Sequence, residues 1–352
     1  MLFAHSIFYS AAKVNANQYN LWKHVLFDFK IIYCIIPFFI VAGSIYFCLS
    51  FKPFVLTTKT KAHLALFATN IFFALNFTTV KYLLNGGYLK PFGLNLIRVS
   101  VTSILLWVLY IFNTEKKRIQ RKDWTKFLMC AVTGIAINQL AFIKGLSLTY
   151  SIHASLLLLI TPILITFIAA WVLKERLTNN KLIGLALGIG GALVLILAKD
   201  RSGNPGDVLI GDLLIILNAV CYTFYFVLVK PLMLEYNPIA VLRNVFTIGF
   251  FIILPFCWTE FSQINWVNFS SKEYFTLGMI VIPGTFCAYL FNIYGIKNLG
   301  AAISGNYIYT QPLFAAALAI GFLGEELSAY KILAGLLIFA GVFLANKQTK
   351  NV

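Results

Sequence analysis

Two pairs of polar residues stand 150 positions apart in this sequence, Gln139 with Tyr289 and Thr161 with Gln311. Each lies inside a long apolar run, where an unpartnered amide, hydroxyl or phenol is costly. Asn138 adjoins the first. Tyr289 shares a helical face with Thr285 and Asn292, at spacings of four and three. Asn306, Tyr307, Tyr309, Thr310 and Gln311 make the densest polar stretch. Amides and phenols are donors and acceptors rather than nucleophiles or metal ligands, so the chemistry on offer is hydrogen bonding to a solute. The candidate cavity residues are therefore Asn138, Gln139, Thr161, Tyr289, Asn292, Asn306, Tyr309 and Gln311. Arg98 and Lys144 are the candidate contacts for an anionic group. Pro162 and Pro312 directly follow Thr161 and Gln311. A proline in mid-helix removes one donor and frees one carbonyl, so both mark a kink or a gating bend. For a lone Ser or Thr the commoner role is a bond between helices; clustered amides and tyrosines weigh more toward a site.

Other chemistries lack their signatures. There is no HExxH, GxSxG or Walker A motif, and no CxxC among Cys34, Cys48, Cys130, Cys221, Cys257 and Cys287. An enzyme is not expected, nor a metal site or a cofactor. The 12 acidic residues fall in loops, at helix ends or in the N-terminal extension, with Asp212 nearest to an apolar run. A deep carboxylate relay therefore lacks its usual ligands, and the coupling ion or counter-solute stays open.

The elements that must position these residues follow from composition. Of 352 residues, 60% are hydrophobic and 11% charged, where a soluble surface needs roughly 25% charged. The solvent is the lipid bilayer, and the chain reads as an all-α polytopic membrane protein. The net charge of +16 lies between apolar runs rather than on one face. It marks cytoplasmic loops, not a nucleic-acid partner. Ten stretches suit spanning helices: 63–84, 91–112, 124–145, 151–173, 181–198, 209–231, 239–258, 274–297, 301–323 and 331–346.

The 150-residue spacing recurs. It carries Leu140 onto Leu290, Gly145 onto Gly295, Pro162 onto Pro312, Lys181 onto Lys331 and Gly191 onto Gly341. The chain is thus two units, 63–198 and 209–346, of five helices each. Because five is odd, the second unit enters the membrane from the opposite side, giving an inverted 5+5 repeat. Equivalent loops then face opposite compartments. KERLTNNK (174–181) and NTEKKRIQRKD (113–123) are basic, while their counterparts GEELSAYK (324–331) and TEFSQINWVNFSSKE (259–273) are not. The positive-inside rule puts the start of the ten-helix core and the C-terminal tail, 347–352, in the cytoplasm. Residues 1–62 form an extension whose segment 31–51 is long enough for an extra helix. A leader peptide and an over-long gene start are its other readings.

Two stretches carry a family resemblance: SLLLLITPILITFIAAWVLKERLTNNKLIGLALGIGGALVLI (155–196) and SGNYIYTQPLFAAALAIGFLGEELSAYKILAGLLIFAGVFLAN (304–346). Each has a mid-helix Pro, a Glu thirteen residues later and a Gly-rich helix after it. They resemble the EamA-type repeat of the drug/metabolite transporter superfamily, and Arg98 in LNLIRVS resembles that family's second-helix Arg. The resemblance covers roughly 63–346. It implies ten helices round a central cavity, formed largely by the third, fourth, eighth and ninth with the first and sixth contributing, and export of metabolites or amino acids across a plasma or inner membrane. The expected function is secondary transport of a small organic solute by alternating access. The alternatives are a nucleotide-sugar or phosphorylated-metabolite exchanger of the same fold, and at low weight a channel or membrane enzyme.

Overall fold

The computed structural model describes residues 57–112, 119–172, 179–197 and 208–346. The expected helix at 31–51, most of both basic loops and the tail lie outside these. The described residues form helices throughout. In chain order they are α1 Thr58–Asn85, α2 Pro91–Ile111, α3 Arg121–Leu148, α4 151–172, α5 Asn179–Leu197, α6 Val208–Glu235, α7 Pro238–Ser262, α8 Ser271–Leu299, α9 301–323 and α10 Ala329–Asn346. Six of them, α1, α2, α3, α6, α7 and α8, are each long and apolar enough to cross a membrane. Shorter apolar stretches at Ser151–Ile165, Leu182–Leu197 and Ala329–Gly341 lie in α4, α5 and α10.

The starts are set by local chemistry. The Thr57 side chain accepts from the Thr60 amide at 3.2 Å, so the polar TTKTKAH stretch joins α1 and the helix begins earlier than its apolar residues indicate. Asn237 caps α7 ahead of Pro238, and Ser270 with Glu273 forms a capping box on α8. Two helix starts borrow their caps from the other half of the chain. Glu260 accepts from the amides of Phe92 and Gly93, and Glu325 from those of Ser151 and Ile152 at 2.8 and 3.0 Å. Gly324, in the left-handed region at φ +67°, turns the chain so that Glu325 leaves α9 at the start of α4.

The two halves pack as equivalents. α5 lies on α10, α2 on α7, α3 on α6 and α8 on α1. The α5–α10 contact is reciprocal. A Cβ on Gly191 would stand 2.8 Å from the Ala334 carbonyl oxygen, and one on Gly341 would stand 2.5 Å from that of Gly184. The helix ends alternate as an inverted repeat requires: the end of α1 meets the start of α8 through Tyr82 and Glu273, and the end of α6 meets the start of α3 through Tyr236 and Asp123, both at 2.8 Å. Glu273 is the equivalent of Asp123, 150 positions on. We call the end where α1 begins the near face and the opposite end the far face.

Departures from α geometry repeat at two places in each half, while a π turn at Ala319–Leu323 of α9 has no counterpart among the described residues of α4. α3 loosens into a π turn at Val132–Ala136 and α8 at Ile282–Cys287. α4 tightens into a 3-10 turn at Leu158–Ile160, just before Pro162, and α9 at Tyr307–Thr310, just before Pro312.

The acidic residues depart from the sequence expectation. Asp123, Asp212 and Glu273 do lie near helix ends, yet they are buried. Neighbouring helices satisfy them. Asp212 takes a bond from Thr149 and lies 3.2 Å from His153 Nδ1, and Lys81 reaches the carbonyl oxygens of Leu146 and Thr149 beside it.

Two tests follow from this packing. Gly341→Ala forces α5 and α10 apart and is expected to cost about 1–3 kcal/mol, read as a lower melting temperature of the purified protein. Gly190→Ala, with open space at its Cβ, should leave that temperature unchanged or raise it. Glu325→Ala removes the cap on α4 and is expected to lose roughly 1–2 kcal/mol. Glu326→Ala, at an exposed neighbour, should melt with the parent protein; equal losses in both would deny the cap its role.

Candidate functional site

Gln139 donates from Nε2 to the Tyr289 hydroxyl at 3.2 Å. These two residues are equivalents, one from each repeat. Equivalent residues of two units related by a two-fold touch only near the axis, so this bond marks the pseudo-axis. A small cavity of about 70 Å³, partly open to solvent, lies beside it. Its polar lining comes from both halves: Asn76, Arg98, Asn138, Gln139, Thr161, Asn218, Tyr222, Tyr289 and Gln311. Phe73, Phe77, Phe142, Leu158 and Ile308 supply apolar wall.

The π turns hold this wall in place. A π turn breaks the regular run of backbone bonds and exposes carbonyl groups to side chains. The Gly134 carbonyl, in the turn of α3, accepts from the Tyr289 hydroxyl at 3.4 Å. The Gly284 carbonyl, its equivalent in α8, accepts from Asn76 Nδ2 at 3.3 Å. Gly134 also has to be glycine: a Cβ there would meet the Tyr225 ring at 2.4 Å. In the same turn of α8, the Thr285 hydroxyl donates back to the Ile280 carbonyl at 2.8 Å and accepts from Arg98 Nε at 3.0 Å. One irregular turn thus orients both Asn76 and Arg98.

Of the residues expected from sequence, Asn138, Gln139, Thr161, Tyr289 and Gln311 line this cavity together with Arg98. Asn138 is committed to packing. Its Nδ2 donates to the Asn218 carbonyl at 3.0 Å and Asn218 returns the bond at 2.9 Å, clamping α3 to α6. Gln311 donates to Asn70 Oδ1 at 2.7 Å, tying α9 to α1. Asn292 stands behind the wall and donates to the Tyr222 hydroxyl at 2.6 Å. Asn306 and Tyr309 are placed elsewhere. Ile308 and Gln311, three apart, face the cavity, while Asn306 is exposed and Tyr309 packs on Phe339 of α10. Lys144 is half-buried toward the far end of α3, off the cavity. Arg98 is buried on the cavity wall at 3% exposure. Pro162 and Pro312 are buried immediately after the 3-10 turns.

The α1 and α6 contributions escaped the residue-by-residue reading. Phe73, Asn76 and Phe77 recur at helical spacing, as do Asn218 and Tyr222. Asn70 and Asn76 in the apolar run of α1, and Asn218 in that of α6, were the available signal. Among the described residues, no three His, Cys, Asp or Glu side chains gather where they would hold a metal ion.

Comparison with known proteins agrees with this architecture. A probable terminal-alkyne amino-acid exporter of Streptantibioticus cattleyicolor is 27% identical over 293 residues, 82% of this chain and 95% of its own. An uncharacterized transporter of Archaeoglobus fulgidus is 24% identical over 291 residues, 82% of this chain and 99% of its own. The Arabidopsis thaliana protein WALLS ARE THIN 1 is 26% identical over 283 residues, 69% of this chain and 72% of its own. One solved crystal structure shares the fold, with a TM-score of 0.54 at 18% identity, covering 79% of this chain and 96% of its own. The profile of the EamA-like transporter family matches twice, at residues 60–197 and 209–347. With a copy on each set of five helices, this chain is an integral membrane protein that belongs to the EamA-like transporter family of the drug/metabolite transporter superfamily.

Proposed function

We propose that this protein is a secondary transporter of small organic metabolites such as amino acids, moving them by alternating access round the central cavity. The observation that carries the reading is the Gln139–Tyr289 bond beside that cavity. It supports a site on the pseudo-axis, where two inverted units can exchange roles and expose one site to each face in turn. The similarity to a probable amino-acid exporter supports the solute class and the outward direction. Among the described residues that line the cavity, Arg98 is the one with a full charge. A phosphorylated solute or nucleotide sugar calls for a second deep cation, so the exchanger alternative ranks lower. The repeat boundaries 63–198 and 209–346 belong to the same proposal.

The near face is assigned to the cytoplasm from the basic loops. A membrane-impermeant thiol reagent should label a cysteine placed at Val267, 92% exposed on the far face, in intact cells. Labelling only after the cells are broken would reverse the orientation.

Transport itself is tested by counterflow of labelled neutral amino acids in proteoliposomes. Gln139→Ala, Tyr289→Phe and Gln311→Ala each lose a hydrogen bond of about 0.5–1.5 kcal/mol. Each is expected to slow counterflow by roughly threefold to tenfold at equal reconstitution. Parent-like rates in all three would remove the cavity from the transport route.

A further inference from the structure

Three side chains that line this cavity each hold one buried atom without a hydrogen-bond partner: Arg98 Nη1, Asn76 Oδ1 and Gln139 Oε1. Each belongs to a side chain whose other end is fixed. Arg98 is held through Nε by Thr285, Asn76 through Nδ2 by the Gly284 carbonyl, and Gln139 through Nε2 by Tyr289. The two amides spend their donors on the protein, and what remains is one cationic donor and two carbonyl acceptors. Their exposures are 3%, 3% and 2% for Arg98, Asn76 and Gln139, so bulk water does not serve them.

A buried guanidinium without a carboxylate is a standing cost unless something arrives to offset it. No carboxylate among the described residues makes an ion pair with Arg98. Its neighbours are the Thr285 hydroxyl and the Phe142 ring, whose centroid lies 6.0 Å from the guanidinium carbon. The Asn76 and Gln139 oxygens present the opposite need, for N–H donors. A solute that is only an anion would satisfy Arg98 and set its oxygens against theirs. A solute that is only an amine would suit those oxygens and meet the positive charge of Arg98. Both ends are served at once by a solute that carries both charges.

Resting on the transport reading above, we propose that the cavity selects zwitterions. Arg98 holds the carboxylate, and the side-chain oxygens of Asn76 and Gln139 hold the protonated amine. Thr285 acts as a positioning residue: its hydroxyl fixes the guanidinium and is itself fixed by the carbonyl that the π turn of α8 makes reachable. Phe73, Phe77 and Leu158 leave an apolar wall for the remainder of the solute.

The test is the melting temperature of the purified protein against three pools: neutral amino acids, the amines obtained from them by decarboxylation, and the carboxylic acids that lack the amine. A ligand that binds only the folded state raises the melting point. The amino-acid pool is expected to raise it, and the other two to do so only at concentrations roughly tenfold to a hundredfold higher, the worth of a charge-assisted contact. Arg98→Gln should abolish the preference for amino acids over amines, and Asn76→Leu the preference for amino acids over acids. If either variant fails to fold, Arg98→Lys and Asn76→Asp give second readings. The lysine is expected to keep the carboxylate preference at reduced strength, and the aspartate to strengthen amine binding. An amine or acid pool that matches the amino acids in the parent protein overturns the zwitterion assignment and leaves the transport reading standing. Amino-acid counterflow that is absent, together with no shift from any pool on cooperatively melting protein, overturns both.

Discussion

In a membrane no backbone carbonyl can be left bare, and the architecture of this site depends on that constraint. A regular helix satisfies its own carbonyls and has nothing to lend a neighbour. α3 and α8 depart from regularity at Val132–Ala136 and Ile282–Cys287, and both departures are covered by side chains from elsewhere in the bundle. Tyr289 takes up the Gly134 carbonyl, and Asn76 that of Gly284. The polar wall of the cavity is therefore the by-product of a backbone problem and its solution. Tyr289 and Asn76, the residues that satisfy the loosened turns, also line the cavity. Shape and polarity cannot be changed independently here, because removing Asn76 strips a bond from α8 as well as an acceptor from the wall.

Duplication gave two such turns, and divergence gave them different work. The scaffold is nearly symmetric: the glycine contacts between α5 and α10, the acid–tyrosine pairs at the two faces and the proline breaks all come in equivalents. The polar chemistry is not. Gln139 faces Tyr289, Thr161 corresponds to Gln311, and the buried His153 and Asp212 near the far face correspond to Ile303 and Ala62 near the other. Ile303 is 44% exposed where His153 is fully buried. The two ends of the bundle are thus packed differently by equivalent segments.

Much of this was legible from sequence, for identifiable reasons. Helix extents follow from apolar length, so α2 and α9 fall within a residue of their expected bounds. α1 and α8 begin earlier, because Thr57 and the Ser270–Glu273 box extend helices into polar sequence. The paired positions Gln139 and Tyr289 were visible because a repeat compares a chain with itself. The π turns were not visible. Pro283 and Gly134 permit them, but whether a turn loosens depends on which side chain arrives to take its carbonyl, and that is a tertiary fact. The same holds for Asp212 and Glu273, whose positions at helix ends were plain and whose burial was not. Asn306 and Tyr309 were grouped with Gln311 by nearness in sequence, yet the 3-10 turn at Tyr307–Thr310 turns them to other neighbours.

The proposed alternating access needs elements that change shape without losing backbone bonds, and α4 and α9 have features that fit this need. Each carries a short helical start, a 3-10 turn and then a proline. The proline withholds one amide, so one carbonyl in the turn before it is already free of the helix ladder and bending there breaks little. Both helices are anchored from outside their own half: the start of α4 by the Glu325 cap and the Asp212–His153 contact, and the 3-10 turn of α9 by the 2.6 Å bond between Tyr307 and His63 of α1. Thr161 and Gln311 stand between turn and proline, on the cavity wall. A bend at either break moves one of these residues and the helix start beyond it together. Under the transport reading proposed above, opening a face and altering the grip on the solute would be one motion.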